Sequence, residues 1–134
     1  MLANLETHGF TLIPKFFTQT ECSKLIQILG PVTGAGRRGL LSIPLISQLA
    51  NSPKFLNLIR PHLSKNPTPV RSIYFDKSPD ANWVVSWHQD LTIALNEHSE
   101  IPGFGPWSVK DGIPHVQPPS EFLQKMLTLR LHLD

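Results

Sequence analysis

"WVVSWHQDLTIAL", residues 83–95, decides how the chain is read. It is rich in β-branched and aromatic residues and predicts one long strand or two consecutive ones. Inside it, His88 and Asp90 stand two apart. On a strand, side chains at i and i+2 project from one face roughly 6.5–7 Å apart, so a cation between them is within reach of both, while Gln89 points away. An imidazole and a carboxylate from one strand, joined by an imidazole from elsewhere, form the facial triad that leaves three positions open on Fe(II). The spacing alone is weak: with 6 His and five Asp, about one chain in five of this composition contains such a pair by chance. A strand His beside an Asp is more often a hydrogen-bonded pair than a ligand set.

Upstream, "THGFTLIPKFF" predicts a short strand near Gly9 to Pro14. "FTQTECSKLIQILGP" predicts a helix: Thr18 with Glu21 forms a capping box, Cys22, Leu25, Ile26 and Leu29 fall at i, i+3, i+4 and i+7, and Gly30-Pro31 stops it. "GAGRRG", residues 34–39, matches a dinucleotide-binding fingerprint in letters only. It follows a helix instead of a strand, no acidic residue lies about 20 positions on, and Pro44 sits where the phosphate-binding helix would continue, so a loop is the better reading. Residues 44–63 predict two short helical pieces, the second capped by Ser52, with Pro53 at its first position, and ended by Pro61.

Val70 to Asp76 is strand-like, and "KSPDAN" turns the chain. Residues 96–119 are dense in Pro and Gly and read as a long loop of the functional kind, a candidate lid. "PSEFLQKM" suggests a helical turn. "LTLRLHLD" has a period of two, with Leu127, Leu129, Leu131 and Leu133 on one side and Thr128, Arg130, His132 and Asp134 on the other, and predicts a strand.

The 134 residues carry a formal charge of +2 and 40% apolar content, which predicts one folded domain and one core. Basic residues are scattered without a stripe, so nucleic acid is not an expected partner. No leader pattern and no membrane-spanning run is expected, and the lone Cys22 reads as a small core residue in a reducing compartment; the expected location is cytoplasmic.

The runs "IYFDKSPDANWVVSWHQDLTIAL", "WSVKDGIPHVQPP", "LTLRLHLD" and "HGFTLIPKFFTQTEC" together resemble bacterial members of the phytanoyl-CoA dioxygenase family. The resemblance runs through nearly the whole chain and is most specific from Ile73 to Leu95. It implies an Fe(II)- and 2-oxoglutarate-dependent oxygenase, in a mixed α+β fold with N-terminal helices packed on a partial double-stranded β-helix, or jelly roll. Residues 1–134 would be a single domain corresponding to the N-terminal portion of the oxygenase domain. His88 and Asp90 become two iron ligands, with 2-oxoglutarate as co-substrate and a small organic molecule hydroxylated.

In the family a late His supplies the third ligand, and a basic residue beyond it grips the far carboxylate of 2-oxoglutarate; both follow the strand that "LTLRLHLD" resembles. The chain is therefore expected to be inactive or incomplete as it stands, and His98, His115 and His132 do not match the missing ligand. Arg71, on a strand expected to line the pocket, is a candidate for an anionic group. Ser86 and Thr92 share the face of His88 and Asp90 and are pocket candidates, and Trp83, Trp87, Phe104 and Trp107 are candidates for the substrate wall. A jelly roll cut after its early strands exposes edges and a half-covered apolar face, so self-association is expected. The alternative is a non-catalytic binding or assembly module derived from a truncated oxygenase; a cupin-like metal protein ranks below both, because only His88 lies near the motif.

Overall fold

In the computed structural model, residues 3–63, 66–82, 86 and 88–134 are described. They fall into two compact units, Met1–Gly30 with Arg130–Asp134, and Pro31–Leu129. The chain is of mixed helix and sheet, and its strands form small antiparallel sheets.

The first unit holds α1 (Ala3–His8) and α2 (Gln19–Leu29). The predicted capping box closes α2: the Glu21 backbone N–H donates to Thr18 Oγ1 at 3.2 Å, and the Thr18 N–H donates to a Glu21 carboxylate oxygen at 2.7 Å. Two of the N–H groups that a helix start leaves without partners are thereby satisfied. At the other end Gly30, at φ 62°, takes the chain out of the helix. Cys22, Leu25 and Leu29 are buried, the two leucines each contributing about 1.5–3 kcal/mol by leaving water, whereas Ile26 is 41% exposed and only skirts the apolar stripe.

The predicted strand over 9–14 does not form. Residues 10–13 are irregular, and Phe10 and Leu12 are 61% and 73% exposed. Alternation supplies a face, but a strand also needs a neighbour to take its backbone hydrogen bonds. The same applies to "LTLRLHLD", whose residues 127–134 form no strand.

In the second unit, β1 (Gly36–Arg38) pairs antiparallel with β2 (Ile73–Phe75), Gly36 opposite Phe75. "GAGRRG" is therefore half strand and not simply a loop. A Cβ at position 36 would lie 2.6 Å from the Tyr74 carbonyl oxygen, so the close pairing requires glycine. The ladder ends at Gly39, which turns at φ 73° into a 3₁₀ turn over Leu40–Ser42; this confines the predicted 70–76 strand to three residues.

Helices α3 (Pro44–Ala50) and α4 (Pro53–Ile59) follow, each opened by proline, and α4 passes into a 3₁₀ turn over Arg60–His62. Pro61 thus lies inside that turn instead of ending the helix. Ser52 occupies the cap position without making a side-chain capping bond.

The second sheet has the order β3-β5-β4, with β3 at Ile93–Ala94, β4 at Trp107–Lys110 and β5 at Ile113–Val116. β4 and β5 form a hairpin inside the predicted long loop. Its two-residue turn, Asp111-Gly112, has φ of 51° and 76°, the left-handed pair that gives the twist needed to join two strands tightly. The expected long strand over 83–95 shrinks, among its described residues, to Ile93–Ala94. Ile93 faces Val116, so continuing the register would set Leu91 and Asp90 against Pro118 and Pro119. Proline has no N–H for a ladder. The central strand carries, among the described residues, the most deeply buried pair in the unit, His115 at 1% and Val116 at 0% exposed. A short helix, α5 (Ser120–Leu123), follows, as "PSEFLQKM" suggests.

Candidate functional site

Residues 88–92 are not in a strand, yet His88 and Asp90 turn toward each other. His88 Nε2 lies 4.0 Å from Asp90 Oδ1, and the two side chains are 55% and 65% exposed. His88 Nδ1 stands 2.8 Å from the Ser86 carbonyl oxygen. A carbonyl only accepts, so Nδ1 carries the proton and Nε2 of the neutral ring keeps its lone pair. Tying back one ring nitrogen in this way is how metal-binding histidines are commonly held.

Two adjacent ligands at about 2.1 Å from a cation stand about 3 Å apart, so a cation would draw this pair together. The donor chemistry fits a divalent ion with two ligands. Among the described residues, no group of three or more His, Cys, Asp or Glu side chains is placed to hold one.

Arg71 adds a third member. Its Nη2 lies 3.7 Å from Asp90 Oδ2, so Asp90 is flanked by the imidazole on one oxygen and the guanidinium on the other. Ser86 contributes its backbone carbonyl, not its exposed side chain. Thr92 Oγ1 accepts from Lys110 Nζ at 3.4 Å. Trp107 is half-buried on β4 and meets the ring of His98 edge-on, with centroids 4.2 Å apart. Phe104 packs on Phe122 at 5.2 Å. Trp83 and Trp87 lie outside the described residues. His98 reaches Glu100 at 3.5 Å, and His115 Nδ1 donates to the Ile113 carbonyl at 2.9 Å.

Behind Arg71 opens a cavity of about 310 Å³. Arg38, Arg71, Ser72 and Asn96 are polar residues along its wall, Leu41, Val70, Leu95 and Ile113 make much of the rest, and the almost fully buried His115 also borders it. Arg38 also pairs with Asp111 at 3.2 Å. Arg71 is legible in the sequence as a candidate for an anionic group; Arg38, Asn96 and the place of His115 beside the cavity are not. One local signal for the wall was present: the Asp-Gly pair at 111–112, flanked by "WSVK" and "IPHV", marks a hairpin, and the hairpin carries His115 and Ile113 to the cavity.

No family model, no curated protein and no solved structure matches the chain. Among the described residues, no helix is long and apolar enough to cross a membrane.

Proposed function

We propose that the chain follows the plan of an Fe(II)- and 2-oxoglutarate-dependent oxygenase of the phytanoyl-CoA dioxygenase family, acting on a small organic substrate, with His88 and Asp90 as two of the metal ligands. The observation that carries this reading is the His88–Asp90 convergence, with His88 Nδ1 tied to the Ser86 carbonyl and Nε2 turned to the carboxylate. The antiparallel sense of both sheets is compatible with a jelly roll, in which neighbouring strands run that way. Bound iron would supply the oxidising chemistry; this chain's residues would hold the ion and shape the substrate's cavity.

The test is Mn(II) binding, followed by electron paramagnetic resonance, for the wild type and for His88→Ala and Asp90→Ala. The reading requires the wild type to bind and each variant to lose about tenfold or more in affinity, as removal of one of two ligands should cause. Equal binding by all three proteins would overturn it.

A second reading, a non-catalytic binding or assembly module, is favoured by Arg71. A guanidinium already compensates the Asp90 carboxylate where an oxygenase would place a cation. Succinate formation from 2-oxoglutarate with Fe(II) and ascorbate would exclude the module; Mn(II) binding without succinate fits the module and an incomplete oxygenase alike.

A further inference from the structure

We propose that the cavity behind Arg71 binds a small organic carboxylate with an apolar body, and that it does so without a metal. Its volume of about 310 Å³ falls at the lower end of the range for small-molecule sites. Among the described residues, Arg38 and Arg71 are the charged residues that line it, and no Asp or Glu does. Arg38 pairs with Asp111 and Arg71 with Asp90, and these two carboxylates are the more exposed members: Asp111 and Asp90 are each 65% exposed, against 23% for Arg38 and 29% for Arg71.

Ion pairs with such exposed carboxylates are weak, so an anion that enters the cavity can compete with them for the two guanidinium groups. Arg71 contacts Asp90 through one nitrogen at 3.7 Å. A guanidinium has five N–H donors in a planar fork, which lets it serve a second carboxylate. Ser72 and Asn96 add neutral side chains that can donate to the same anion. Leu41, Leu95 and Ile113 cover the remaining wall with apolar surface, the environment for a hydrocarbon chain. A cationic end beside an apolar wall selects an amphipathic acid over a neutral sugar or an amine.

The test is calorimetric titration with hexanoate and with hexanamide, its uncharged analogue, in the presence of a chelator. The inference therefore stands or falls separately from the cation reading. Hexanoate should bind about tenfold or more tightly than hexanamide, the factor expected for charge-assisted hydrogen bonds. Arg38→Gln and Arg71→Gln should each weaken hexanoate and leave hexanamide unchanged. Ala94→Leu, which adds bulk at the cavity wall without altering charge, should weaken both ligands, with thermal melting confirming that each variant is folded. Equal binding of acid and amide, undiminished hexanoate binding in the double arginine variant, or no hexanoate binding by the wild type would each overturn the proposal.

Discussion

Arg71 reaches Asp90 with a single guanidinium nitrogen at 3.7 Å, on the side of the carboxylate away from His88. The contact is long and Asp90 is largely exposed, so the pair adds only about 0–1 kcal/mol to stability. Its larger effect is on Asp90: a guanidinium beside the carboxylate competes electrostatically with any other cation. Arg71→Gln should therefore tighten Mn(II) binding several-fold and leave the urea midpoint nearly unchanged. Unchanged or weaker Mn(II) binding would show that Arg71 does not compete.

Two glycines hold the second unit's strands by different means, and substitution should separate them. At Gly112, φ 76° makes a Cβ costly but meets no neighbour within 4 Å, so Gly112→Ala should cost about 1–2 kcal/mol. At Gly36 a Cβ would press on the Tyr74 carbonyl at 2.6 Å, and relief requires β1 to move away from β2. Gly36→Ala should thus lower stability more than Gly112→Ala in urea denaturation. The reverse order would mean that the β1–β2 pairing contributes little.

What could be read from the sequence was what neighbouring residues settle among themselves. The capping box at Thr18 and Glu21, the apolar spacing of Cys22, Leu25 and Leu29, and the stop at Gly30 lie within one segment and specify α2 almost to the residue. Strand length is different, because it depends on a partner. β3 does not extend back from Ile93 to positions 90 and 91, where Pro118 and Pro119 would face it, and the 70–76 run starts pairing only at Ile73, since Gly39 turns away opposite. In the 96–119 segment, the density of Pro and Gly hid the one dipeptide, Asp111-Gly112, that specifies a hairpin. The approach of His88 to Asp90 is legible as a spacing of two, although irregular backbone, not a strand, brings the side chains together. The cavity was not legible: Arg38, Arg71, Asn96 and His115 are far apart in the chain and meet through tertiary packing.

The capping box makes a prediction confined to the first unit. Thr18 Oγ1 accepts from the Glu21 N–H, and Glu21 returns a bond to the Thr18 N–H. Thr18→Ala removes the hydroxyl acceptor and should cost about 1 kcal/mol, whereas Thr18→Ser keeps it and should cost much less. Circular dichroism during urea denaturation reads both. Equal losses would mean that the threonine methyl, not the hydroxyl, sustains the helix start.

The edge of the second sheet bears on self-association. In the order β3-β5-β4, β4 has a neighbour on one side only among the described residues, and its Val109 is 71% exposed. An open edge presents alternating N–H and C=O groups to solvent, and an exposed β-branched residue on it favours pairing with a second copy. A lysine there opposes such pairing by charge repulsion and desolvation. The wild type should show a mass-average that rises with concentration in sedimentation equilibrium, and Val109→Lys should bring it toward the monomer. Because that side chain is exposed, the change should shift the melting temperature little. A wild-type protein that stays monomeric across the range would refute edge pairing, and association unchanged by the lysine would assign it to another surface.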